Sequence, residues 1–119
     1  MQNYKELLVW QKAHHFTLKM YAVVTSFPKE ETYNLTSQIK RSASSIGTNI
    51  AEGCGRYTQK DLANFLQTAL GSVHELEYQL LLSKDLKFID NELFVELEKE
   101  AGEIKAMLIS LIKKVRFEP

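Results

Sequence analysis

Apolar residues recur along this chain at helical rather than strand spacing, in four blocks separated by three short breaks. From about Lys5 to Ser26, Val9, Ala13, Phe16, Met20, Val23 and Phe27 keep the 4-3-4-3-4 steps of one helix face. Trp10, Tyr21 and Val24 widen it. The block closes at Phe27-Pro28, because proline pushes the preceding residue out of the helical region. The second block runs from Leu35 to Glu52 on the stripe Leu35, Ile39, Ala43, Ile46 and Ile50. The Gly53-Cys54-Gly55 break predicts its stop, with glycine in the left-handed C-terminal cap. Thr58, with Asp61 three residues on, reads as the capped start of a third helix that continues to about Lys84. Its seam is Leu62, Leu66, Ala69, Val73, Leu76 and Leu80, thickened by Phe65, Leu70 and Leu81. Asp90 caps the fourth helix, down which Phe94, Leu97, Ala101, Ile104, Leu108, Leu111 and Val115 repeat.

No strand-like alternation persists and no internal repeat is present. Four helices on short connections predict an all-α fold, an antiparallel up-down-up-down four-helix bundle, as one domain over residues 1–119. One position resists this simple picture. Gly47 stands in the middle of the second helix, where glycine costs about 1 kcal/mol against alanine. It predicts a kink or a close approach at that point.

With 45% apolar and 25% charged residues in 119, the chain can bury one core without disulfides or metal. Cys54 is the sole cysteine, which excludes an intramolecular disulfide framework and fits a reducing cytoplasm. The start, MQNYKELLVWQK, has no apolar signal core, and the longest apolar run, Met107 to Ile112 interrupted by Ser110, is too short to span a bilayer. The expectation is therefore a cytoplasmic protein with no membrane partner.

Net charge is zero but unevenly placed. Residues 1–60 hold eight Lys/Arg against four Asp/Glu, and residues 61–119 hold seven against eleven. Such asymmetry suits either a basic face for a polyanion or oppositely charged segments that face each other. Lys5, Lys12 and Lys19 recur every seven residues, Lys40 and Arg41 lie on the second helix, and Arg56 and Lys60 flank the next turn. Lys12, Lys19, Lys40, Arg41, Arg56 and Lys60 are the candidate nucleic-acid contacts, since cations at these spacings can track phosphates. Trp10, Phe16 and Tyr21 sit on or beside the apolar stripe and read as core rather than as base-stacking residues. In the fourth helix, Glu92, Glu96, Glu98, Glu100 and Glu103 precede Lys105, Lys113, Lys114 and Arg116, an order that suits the helix dipole.

A second constellation, Arg41, Asn49, Glu52, Glu75 and Glu77, reads as a polar network or subunit interface, with the two third-helix glutamates accepting from Arg41 or Arg56. The alternative is an anion pocket. Catalytic chemistry finds little material. Cys54 has no sequence-local base, and a helix C-terminus raises a thiol pKa. No Glu-x-x-His, the signature of a di-iron bundle, occurs, and His74 with Glu77 stands in reverse order. No catalytic residue, metal site or cofactor is expected.

These residues also carry a family likeness that runs from Tyr4 to about Phe117. Leu8-Val9-Trp10-Gln11-Lys12-Ala13, Tyr21, and Phe27-Pro28 with Glu31 and Tyr33 contribute to it. Leu35 to Ala43 and Ser45 to Gly53 carry it most densely, and Gly55-Arg56, Phe65-Leu66, Gly71-Ser72 and Glu75-Leu76-Glu77 complete it. The chain resembles the small bundle proteins named after the 23S rRNA intervening sequences in which some of their genes lie. Gly47 stands where many relatives carry proline, and Asn34 where glycine is common. The resemblance implies a left-handed antiparallel bundle that assembles into a ring, typically a homopentamer, and implies no enzymatic activity. Similar bundles include the accessory variability protein of diversity-generating retroelements, a markedly basic pentameric barrel thought to bind nucleic acid and reverse transcriptase. The resulting expectation is a non-enzymatic oligomeric scaffold whose partner is RNA or a ribonucleoprotein. A protein-binding adaptor without a nucleic-acid role is the alternative, and a metal-binding or enzymatic bundle stands behind both.

Overall fold

The computed structural model describes residues 2–117. Four helices carry the chain: α1 (Leu8–Val23), α2 (Leu35–Cys54), α3 (Gln59–Asp85) and α4 (Asn91–Phe117), with no strand among the described residues. The first helix is shorter than its apolar pattern predicts. Asn3 accepts from the Lys5 amide and closes a separate 3-10 turn at Tyr4–Glu6, and Leu7 is extended before α1 begins. At the other end, Val24–Ser26 tightens to 3-10 geometry before Phe27 turns extended ahead of Pro28.

The end of α2 corrects a second expectation. The helix continues through Gly53 to Cys54, and Gly55 keeps right-handed geometry at φ −86°. Among the described residues, no glycine has a positive φ. Gly53 is needed for proximity instead. A Cβ there would lie 2.8 Å from Phe65 Cβ and 3.1 Å from Leu62 Cδ1, so its absence lets α2 close onto α3.

The left-handed cap occurs one helix later, on a lysine. Lys87, at φ 65°, ends α3 with its amide on the Lys84 carbonyl and the Phe88 amide on the Ser83 carbonyl. Phe88 then packs on Phe27 with ring centroids 5.3 Å apart. Thr58 accepts from the Asp61 amide at the start of α3, and Asp90 accepts from the Leu93 amide at the start of α4. Both caps match the sequence reading.

Cross-helix contacts fix the topology. As residue numbers rise on one helix they fall on its neighbour: Trp10 with Gly47 and Thr17 with Ala43 on α1 and α2, and Ser42 with Glu75 and Ser45 with Ser72 on α2 and α3. Glu77 with Lys105 and Lys84 with Phe94 on α3 and α4, and Lys12 with Glu103 and Lys19 with Glu96 on α1 and α4, follow the same rule. The helices therefore run up-down-up-down around a core that includes Met20, Ile39, Ile46, Ile50, Leu66, Leu76, Leu97, Ile104 and Leu108, all fully buried. The bundle measures 45 × 24 × 20 Å. Gly47 serves a close approach, with the Trp10 indole Nε1 3.4 Å from where its Cβ would stand.

Candidate nucleic-acid interface

The two long seams of the bundle use its polar residues differently. Along α2 and α3, Ser42 donates to Glu75 at 2.9 Å, the Ser45 and Ser72 hydroxyls meet at 2.9 Å, and Asn49 donates to the Ser45 carbonyl at 2.8 Å. Glu77 instead receives Lys105 of α4 at 3.0 Å, with His74 Nδ1 3.8 Å away. Neither glutamate meets Arg41 or Arg56, because α3 aims Glu75 at a serine on α2 and Glu77 at α4. Of the predicted polar network, only Asn49 and Glu75 share this seam. Glu52 lies 3.8 Å from Arg56, one turn away.

Along α1 and α4, lysine meets glutamate. Lys19 Nζ lies 2.8 Å from Glu96 and 3.1 Å from Glu100, and Lys12 lies 3.7 Å from Glu103. The two glutamates, Glu96 foremost, hold the Lys19 ammonium above the ordinary lysine range. Lys19 is thus engaged within the fold, whereas Lys12, like Arg56 beside Glu52 at 3.8 Å, makes one long, exposed ion pair. Below the two lysines the seam opens into an apolar groove of about 420 Å³ lined by Leu7, Leu8, Met107 and Leu111.

The remaining candidates fall in two places. Lys40 sits 5.1 Å from the Tyr21 ring centre on the α1/α2 face, and Arg41 is exposed with no ion pair among the described residues. Tyr21, read from sequence as core, is 42% exposed, whereas Phe16 is buried and Trp10 half-buried. Arg56 and Lys60 lie at one end of the bundle, where the antiparallel topology also delivers the end of α4. A cavity of about 370 Å³ there has Arg56 and Lys114 in its wall, and the adjoining one has Lys60 and Arg116. Among the described residues, no carboxylate lines either cavity.

Lys114 and Arg116 are the cations that sequence reasoning left with the helix dipole. The signal that would have found them is topological: in an up-down-up-down bundle the α4 C-terminus stands beside the α3 N-terminus. Arg56 also stacks over Phe65 at 4.7 Å, which orients its guanidinium.

The α1/α2 face adds a second property. No Asp or Glu occurs between Leu7 and Lys29, or between Thr32 and Ala51. Acids flank this stretch at its ends, with Glu6 and Glu52 at one and Glu30 and Glu31 at the other. Trp10 lies parallel to His14 on this face, centroids 5.0 Å apart and planes 6° apart, with Tyr4 edge-on to the indole at 4.9 Å.

Cys54 is buried, and burial pushes its thiol pKa up. Among the described residues, no group of three or more His, Cys, Asp or Glu side chains is placed to hold a metal ion. No described helix is long and apolar enough to cross a membrane.

No curated protein matches the sequence. A crystal structure from Bacteroides thetaiotaomicron, described as a protein of unknown function from the S23 ribosomal protein family, is similar to it at a TM-score of 0.80 and 30% identity. The similarity covers 89% of this chain and 99% of that one. The family described as 23S rRNA-intervening sequence protein matches residues 5–110. The match takes in α1 to α3 and most of α4, and with the four-helix architecture it establishes that this chain belongs to the 23S rRNA-intervening sequence protein family.

Proposed function

We propose that this chain is a non-enzymatic, self-associating interaction module of the cytoplasm that binds RNA at the basic end of its bundle. The observation that carries the reading is the convergence of Arg56, Lys60, Lys114 and Arg116 around two adjoining cavities, in whose walls the described residues place no carboxylate. Cations so placed attract a polyanion although net charge is zero. The description of the similar structure as of the S23 ribosomal protein family accords with an RNA partner. A buried Cys54 with a raised thiol pKa supports the non-enzymatic part.

Filter binding of structured RNA at low and moderate salt tests this reading. Replacing Arg56 and Lys114 together by alanine should weaken binding to all sequences alike and reduce the salt slope by roughly one per lost phosphate contact. Lys19→Met should leave binding unchanged, since Glu96 and Glu100 already hold that charge. Absence of salt-sensitive binding at low ionic strength overturns the proposal.

Self-association is supported by large apolar side chains exposed on α1 and α4, where Leu8 is 67%, Leu18 56% and Val95 53% exposed. A ring of subunits, a homopentamer by family likeness, would cover them. The mass of the assembly in solution decides, and a monomer overturns this part. The groove at Leu7, Leu8, Met107 and Leu111 equally suits a protein-binding adaptor. Pull-down before and after nuclease treatment separates the two, because RNA-dependent partners vanish.

A further inference from the structure

We infer that the Trp10–His14 stack on the α1/α2 face is a station for an unpaired nucleobase, so that the RNA bound is single-stranded there. The inference rests on the RNA reading above and deepens it. The two rings are parallel to within 6° with centroids 5.0 Å apart, the geometry in which a third flat ring extends a stack. Tyr4 fixes the indole edge-on from one side, and Gly47 lets it lie against the α2 backbone. Trp10 is thereby held half-buried while His14 is exposed as the outer plate.

The surroundings suit the same ligand. The central stretches of α1 and α2 supply no carboxylate, and Glu6 and Glu52 stand only at their ends, which leaves the middle of this face open to a phosphate. Lys40 over Tyr21 forms a second aromatic and cationic station further along. Trp10 and Tyr21 are eleven residues apart on one helix, roughly 16 Å, which is beyond the reach of one base. A ligand that touches both is a strand. The basic end, at the same pole as Tyr4 and Trp10, would hold the backbone of that strand. Duplex RNA keeps its bases stacked on each other and cannot use this face, whereas unpaired bases stack readily on aromatic side chains.

Trp10 is the only tryptophan, so its emission reports the site directly. The full chain is titrated with a short single-stranded oligoadenylate and, at the same ionic strength, with that strand annealed to its complement. The single strand should quench Trp10 emission and bind more tightly than the duplex. His14→Ala, at an exposed position that leaves the fold intact, should weaken the single strand roughly five- to a hundredfold, the range of one lost stacking contact. Equal binding of both forms with unchanged emission overturns the stacking site and leaves the phosphate reading standing. Binding of neither overturns the RNA reading and this inference with it.

Discussion

The α2/α3 and α1/α4 seams belong to the same bundle and solve the same packing problem by opposite means. Between α2 and α3 the helices close because side chains are small: Gly53 under Phe65, Ser45 against Ser72, and Ser42 reaching Glu75. Each contact is short, and each residue is restricted by its neighbour. Between α1 and α4 the contacts are made by the tips of long side chains, Lys12 and Lys19 with Glu96, Glu100 and Glu103. An apolar groove remains between those helices. The first seam specifies how the bundle closes. The second holds α1 in place while leaving a surface that another molecule can fill.

The sharpest way to break that contrast is to put a methyl group at Gly53. Gly53→Ala should lower the unfolding free energy in urea by about 1–3 kcal/mol through overpacking, outweighing alanine's better helix propensity. A neutral or stabilising result would mean that the α2/α3 seam is not closed by sterics. A double-mutant cycle on Ser45→Ala and Ser72→Ala should return a coupling of about 0.5–1.5 kcal/mol, a net hydrogen bond shielded from water. Coupling near zero would reduce the serines to spacers.

Lys19→Met on the other seam should cost less than about 1 kcal/mol and lose even that as salt is raised, because the pair is partly solvated. Its pH dependence has a definite sign. The folded-state pKa of Lys19 is raised, so the ion pairs contribute fully below the unfolded lysine value. That contribution disappears as pH rises through the folded value. The stability gap between wild type and Lys19→Met should thus stay flat at neutral pH and close only in strong alkali. A gap that instead grows with pH would show that the glutamates do not hold this lysine.

The sequence was most legible where one residue's role depends on its own helix. The apolar stripes located all four helices, and Thr58 and Asp90 announced two helix starts, because caps and periodicity are local. Gly53 was misread for the same reason. A glycine at a helix end suggests a turn, and only Phe65 on the next helix reveals that it makes room. The left-handed cap fell on Lys87, where no glycine marks it. Among the site residues, periodicity put Lys12 and Lys19 together on α1, but Lys5, counted with them, lies in the 3-10 turn before that helix, and the acids opposite stayed hidden. The basic end remained hidden because Arg56 and Arg116 are sixty residues apart in sequence.

The placement of that basic end has a consequence for symmetry. At the opposite pole of the 45 Å axis stand Glu30, Glu31, Asp85, Asp90 and Glu92, outnumbering Lys29, Lys84 and Lys87, so a neutral protomer is electrically polar from end to end. A rotation axis running along the bundles leaves every copy pointing the same way. A cyclic assembly built so would gather the excess cations on one rim and the excess acid on the other. Two such rings would attract rim to rim, head to tail, and an RNA strand on the positive rim would occupy the surface on which the next ring stacks.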